Sequence, residues 1–214
     1  MPGSSDESRV LAGLRFVQVG IISGLFTCAA YPLLLFAPLP KRAIFTLAAF
    51  FGPALAAASF GVQRLLDLDS VRVWSRLGAV LNALAGALFS AMVLVQLAVG
   101  ASAAGDKVSR QVVAVWLGLD VAWDAYLGLG TICFSVAMLR HPRFGRAFAV
   151  PGLTIAVALL ALNLYSFPTP PANAGLVDVG PLVGLWYLAV TLQMWRSLAW
   201  ARERASATVV GTRT

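Results

Sequence analysis

The sequence predicts an all-α fold, a polytopic transmembrane bundle of about six helices with both termini in the cytoplasm. Three observations predict this class. Of the 214 residues, 59% are hydrophobic and only 12% are charged, whereas soluble domains carry about 25% charged residues. The apolar residues form six long stretches, and the basic residues lie in clusters between them. A soluble fold could not bury this much apolar surface in one core and still cover its outside with polar groups. In a membrane, lipid surrounds the apolar surface.

Each apolar stretch is long enough to cross a membrane, because about 20 apolar residues span a hydrocarbon core of about 30 Å. Prolines and charges separate the stretches, and proline ends a helix because it lacks the N–H group that a helix interior needs. Residues 1–15 are predicted as a cytoplasmic segment and 201–214 as a cytoplasmic tail, disordered from Ala205. The predicted spans are 16–39, 43–62, 77–101, 112–139, 147–167 and 181–200.

The basic residues predict the orientation of the bundle. With the N-terminus inside, 12 of the 16 Lys and Arg side chains lie on the inner side, and Lys41, Arg42, Lys107 and Arg110 lie outside. Cytoplasmic loops of membrane proteins carry this excess of basic residues. Because the basic residues lie in clusters between apolar stretches, the net charge of +7 does not indicate nucleic acid. The predicted surroundings are the lipid bilayer, with no nucleic acid as a partner.

The inner connection 63–76 mixes apolar residues with charges and has two interpretations. It predicts either a short amphipathic helix on the cytoplasmic leaflet or a plain charged loop anchored by Trp74.

The fourth span carries the pattern that most suggests a site. Asp120 and Asp124 are four residues apart, so they share one face of a helix, and Thr131 and Ser135 continue this stripe. A carboxylate in the bilayer costs roughly 2.5–3.5 kcal/mol and normally faces the bundle interior or a wet cavity. Both aspartates lie in the outer half of the predicted span.

Four further polar residues are predicted near the same depth: Gln96, Tyr126, Asn163 and Tyr187. With the two aspartates they predict a polar, outward-facing cavity that binds a cation, a proton or a small cationic solute. The alternative is structural. Asp120 then lies in the headgroup zone, Asp124 forms a hydrogen bond with Asn163 or Tyr187, and Gln96 joins helices.

The residues needed for metal or covalent chemistry are scarce. The chain has one histidine, His141, and two cysteines, Cys28 and Cys133, so the sequence predicts no metal site, no cofactor and no catalytic residues. His141 follows Arg140 and is predicted as a structural residue among basic headgroup-facing side chains. Intramembrane aspartyl enzymes generally take their two carboxylates from different helices. The pair on one helix therefore disfavours an enzyme.

Three motifs in the second half resemble a known family. They are WDAYLGLG at 123–130, RHPRFG at 140–145, and LNLYSFP at 162–168 together with VGP at 179–181. Over roughly residues 110–200 the chain resembles small bacterial multi-span membrane proteins grouped as a domain of unknown function. The resemblance implies about six helices in a bacterial inner membrane and no assigned activity.

Two functions therefore stand as hypotheses. The first is the binding or movement of a small solute, cation or proton through the outward cavity. The second is a membrane-embedded interaction, sensory or regulatory subunit without transport or catalysis. A chain of 214 residues is small for a secondary transporter, so a homodimer is expected with the first function and a partner membrane protein with the second.

Overall fold

The structure, a computed structural model, describes the backbone of residues 3–69, 73–102, 108–165 and 176–211 and the side chains of the same ranges from residue 12 to 207. Within these residues the chain forms seven helices and no strand. The helices are α1 Gly3–Phe36, α2 Lys41–Leu66, α3 Val73–Ser102, α4 Arg110–Met138, α5 Gly145–Asn163, α6 Gly180–Arg196 and α7 Leu198–Gly211.

The predicted fold class is confirmed, since each predicted span coincides in its main part with one of helices α1 to α6. Within the described residues five helices, α1 to α5, are long and apolar enough to cross a membrane. Helix α6 has 17 residues, about 26 Å of rise, and is shorter than the predicted span 181–200. Disorder was predicted from Ala205 onward. This prediction is wrong for residues 205–211, because they belong to α7.

The six helices close a ring in chain order, since each packs on the next and α6 returns to α1. We call one end of this ring the basic end. It holds the connections at Asp67–Asp69 and His141 and the α6–α7 junction at Ser197. There Arg204 pairs with Asp69 at 3.8 Å, and Arg143 Nε donates to Ser197 Oγ at 3.3 Å.

We call the other end the distal end. It holds the connection 37–40, the start of α4 and Asp178. Three described basic side chains lie there, those of Lys41, Arg42 and Arg110. The basic end has nine described arginines: Arg15, Arg64, Arg76, Arg140, Arg143, Arg146, Arg196, Arg202 and Arg204.

The connection at 63–76 contains no separate surface helix among its described residues. Helix α2 runs through Leu66, and α3 begins at Val73. Leu65 and Leu66 are fully buried in the bundle core, so they do not form the apolar face of a helix on the membrane surface. The interpretation as an amphipathic helix is therefore wrong for these residues. Trp74 is half exposed, as an anchor would be.

Glycines let the first three helices approach backbone to backbone. A Cβ atom on Gly20 of α1 would lie 2.6 Å from the Cα atom of Gly61 in α2, and one on Gly52 of α2 would lie 2.7 Å from the carbonyl oxygen of Gly86 in α3. Small residues at such crossings allow the close van der Waals packing that joins helices in lipid.

The apolar interior has two layers. The layer toward the basic end contains Leu65, Phe134 and Met138. The layer toward the distal end is aromatic, with ring centroids 4.4 Å apart for Phe51 and Phe89 and 4.9 Å apart for Phe89 and Trp123.

Candidate functional site

A buried polar pair joins the middle of α4 to the end of α5. Asn163, the last residue of α5, donates from its Nδ2 atom to Asp124 Oδ2. Asp124 is 7% exposed and Asn163 is 5% exposed. The second amide atom, Asn163 Oδ1, is buried and accepts no hydrogen bond from any described residue. The site therefore combines a carboxyl group with an amide oxygen that accepts no hydrogen bond from the described part of the chain.

Two more carboxylates connect this pair to the surface. Asp120 lies one helical turn from Asp124 and is half-buried, and Asp178 precedes α6 and is exposed. Asp120 and Asp178 both interact electrostatically with Asp124. Asp178 Oδ1 accepts a hydrogen bond of 2.8 Å from the Gly180 N–H, which fixes this carboxylate at the start of α6. Acidic side chains thus extend from the buried pair to the distal surface.

Tyr31 of α1 completes this region from the other side of the ring. Its hydroxyl lies where a side chain on Gly180 would have to be, so a larger residue at this position would displace the Tyr31 side chain. Tyr31 also interacts electrostatically with Asp178, Asp124 and Asp120. Neither Tyr31 nor Asp178 was among the predicted site residues, because a sequence pattern within one span does not show which other helices face it.

The ring interior beside the pair is apolar. A cavity of about 40 Å³ lies between α1, α2, α4 and α6, with Cys28, Phe51, Trp123, Leu127 and Tyr187 among its lining residues. Of the six residues predicted to line a polar cavity, only Tyr187 lines this one. Of the three acidic side chains, Asp178 is exposed at the distal end, Asp120 is half-buried and Asp124 is buried.

Tyr187 belongs to a second polar cluster. Its hydroxyl donates to Asn82 Oδ1 at 2.6 Å and lies 3.1 Å from Thr131 Oγ1. Asn82 is fully buried, and its Nδ2 atom donates to the Gly78 carbonyl at 2.8 Å. This Asn82–Thr131–Tyr187 cluster joins α3, α4 and α6. Asn82 was not among the predicted site residues, although an amide within an apolar span is a signal of this kind.

The structure does not bring Gln96 and Tyr126 to the carboxylates. Both are exposed. Tyr126 is two residues from Asp124, and helical geometry turns it to a different face. Gln96 lies on the outward side of α3. The six residues predicted to line one polar cavity are therefore divided. Asp120, Asp124 and Asn163 form one group, Tyr187 belongs to a second, and Gln96 and Tyr126 lie on the surface.

The remaining polar residues of the predicted stripe are buried. Thr131 joins the cluster above, whereas Ser135 Oγ accepts no hydrogen bond from any described residue and lies against Gly152. His141 lies among the basic residues Arg140 and Arg143, as predicted, but its own ring is only 2% exposed and faces the protein interior. Its ring packs on Phe144 and Trp200, and its Nδ1 atom accepts the Arg143 N–H at 3.2 Å.

The long apolar helices define a multi-pass helical membrane protein. Among the described residues, no group of three His, Cys, Asp or Glu side chains is arranged to hold a metal ion. No protein-family model matches the sequence, and no curated protein or solved structure matches it either.

Proposed function

We propose that this chain is a multi-pass protein of the bacterial cytoplasmic membrane, with both termini in the cytoplasm, that binds a small cation or cationic solute at Asp124 and Asn163. One observation carries the proposal. Asn163 Oδ1 is a buried acceptor without a described donor, and it belongs to the residue that is hydrogen-bonded to a buried carboxylate.

An unsatisfied buried acceptor is unfavourable, at about 1–3 kcal/mol. A cation, or an ammonium group with several N–H donors, satisfies the amide oxygen and the carboxylate together. An anion or a neutral acceptor does neither. The ligand class with the best chemical match is therefore a small cation, either a monovalent metal ion or a primary ammonium.

The ligand enters from the distal end. Asp178 is exposed and Asp120 is half-buried, and carboxylates lining an approach raise the local concentration of cations. Elsewhere in the ring interior, Phe51, Phe89 and Trp123 pack closely against one another. The exposed Asp178 and half-buried Asp120 therefore favour a binding site open toward the distal end.

Thermal unfolding of the purified protein in detergent tests the proposal, with sodium, potassium and methylammonium chloride as probes. A ligand that binds only the folded state stabilises it, by about 2.7 kcal/mol at 100 times its Kd. We expect at least one of these salts to raise the unfolding temperature by several degrees at constant ionic strength, and Asp124→Asn to abolish the rise.

Glu203→Gln is the matched control, because it removes one exposed carboxylate at the basic end and should keep the full response. A folded Asp124→Asn protein that still responds like the wild type would contradict the proposal. So would a wild-type protein that responds to none of the three cations.

A further inference from the structure

Two grooves flank the first turns of α2 on the outside of the ring. The groove between α2 and α3 has a volume of about 530 Å³, and the groove between α1 and α2 has a volume of about 450 Å³. Thr46 lines both. The two grooves therefore adjoin on α2, close to the distal end.

The mouth of the first groove is basic. Lys41 and Arg42 line it, both are exposed, and the first turn of α2 has no acidic residue. Neither side chain forms an ion pair with a described residue. The helix dipole disfavours cations at a helix N-terminus, so the fold itself does not explain two basic residues here. A bound anion would stabilise both.

The walls of the grooves are apolar. Phe45 and Leu97 line the first groove, and Phe26 and Phe50 line the second. Phe45 is 55% exposed and Phe50 is 61% exposed. Alanines leave the space between these walls: Ala98 and Ala101 in the first groove, Ala54 and Ala57 in the second.

We infer that the grooves hold one anionic phospholipid, with its phosphate on Lys41 and Arg42 and one acyl chain in each groove. The charge at the mouth selects an anionic headgroup, and the apolar walls select hydrocarbon. The second groove is lined by α2 from Thr46 to Ala57, over which the helix rises about 16.5 Å, close to the roughly 15 Å depth of one leaflet. The second groove is therefore long enough for an acyl chain, and free phosphate would use only the mouth.

Native mass spectrometry of the full chain in detergent micelles tests this assignment, with phosphatidylglycerol and phosphatidylcholine of the same acyl chains as probes. We expect one phosphatidylglycerol to remain bound at concentrations at which phosphatidylcholine is lost. The double variant Lys41→Gln/Arg42→Gln should weaken this retention at least tenfold.

Arg110→Gln is the matched control, because it removes the third described basic side chain at the distal end without touching either groove. It should retain the lipid as the wild type does. Equal retention by the Lys41→Gln/Arg42→Gln variant and by Arg110→Gln would overturn the inference.

A second variant separates the lipid from a simple anion. Ala54→Phe with Ala98→Trp fills both grooves and leaves the mouth intact, so it should abolish lipid retention. Unchanged retention in this variant would overturn the inference. Displacement of the wild-type lipid by millimolar inorganic phosphate would also overturn it, because the mouth would then be a plain anion site.

Discussion

At the scale of single residues, a serine from one helix completes the backbone hydrogen bonding of another. Ser90 Oγ accepts from the Gly52 N–H at 2.9 Å and donates to the Ala48 carbonyl at 2.6 Å. In a regular α-helix the Gly52 N–H would donate directly to the Ala48 carbonyl, four residues earlier. The next residue is Pro53, which has no N–H and crowds the preceding turn. A side chain inserted into such a turn satisfies groups that lipid cannot hydrogen-bond.

We therefore expect Ser90→Ala to lower the free energy of unfolding by about 1–3 kcal/mol, the cost of leaving buried polar groups unsatisfied. Unfolding in mixed micelles with increasing denaturing detergent measures this change. Ser102→Ala is the control in the same helix, because Ser102 is exposed and bonds only the Val99 carbonyl at 3.0 Å. Equal effects of the two substitutions would show that the Ser90 bridge contributes nothing.

The site was predictable at this scale only in part. Asp124 and Asn163 stood out because polar groups in an apolar span are costly, and the structure joins them directly. Tyr187, from the same prediction, bonds Asn82 instead. Residue type and approximate depth can be estimated from sequence. The rotation of each helix about its own axis cannot, and that rotation decides which polar groups meet.

At the scale of helices, the close crossing of α1 and α2 depends on a glycine from each. A Cβ atom on Gly61 would lie 2.6 Å from the Cα atom of Gly20. The contact is with backbone, which cannot rotate away as a side chain can. Any larger residue must therefore push the helices apart and break the packing that joins them in lipid.

We expect Gly61→Leu to lower the free energy of unfolding by about 1–3 kcal/mol or more, the usual cost of overpacking. Detergent unfolding and gel filtration of the purified variant measure the loss. Gly118→Leu is the control, because a Cβ atom there has no neighbour within 4 Å. If both variants behave like the wild type, the crossing is not a tight one.

Helix positions were predictable because hydropathy and proline both act locally. The connection at 37–40 ends α1 as its prolines indicate. The break at Ser197 and the continuation into α7 were not predictable in this way. Ser197 is fully buried and accepts a hydrogen bond from Arg143 of the α4–α5 connection, so a contact with a distant part of the chain accompanies this break.

At the scale of the whole molecule, the basic residues are concentrated at one end of the ring. Nine described arginines lie at the basic end and three described basic side chains lie at the distal end. Asp120, Asp124 and Asp178 belong to the half of the ring opposite the nine arginines. Lys and Arg are retained on the cytoplasmic side during insertion. The charge distribution therefore predicts that the basic end faces the cytoplasm and the carboxylates face outward.

Single cysteines placed in a protein with Cys28→Ala and Cys133→Ala test this orientation in intact cells. A membrane-impermeant thiol reagent added outside should label Asp178→Cys at once and Asp124→Cys more slowly, through the path past Asp120. Glu203→Cys should react only after the cells are permeabilised. Labelling of Glu203→Cys from outside would reverse the proposed orientation, and an inert Asp124→Cys in a folded protein would argue against access from the distal end.

The Asn82–Thr131–Tyr187 cluster also has a consequence for biosynthesis. Asn82 and Tyr187 are 105 residues apart, and translation adds about 5–20 residues per second, so α3 enters the membrane roughly 5–20 s before Tyr187 exists. During that interval Asn82 Oδ1 has no tyrosine to bond in an apolar medium. We therefore expect the insertion machinery to stabilise the nascent helices during this interval. The hydrogen bonds of the Asn82–Thr131–Tyr187 cluster can form only after α6 has been synthesised.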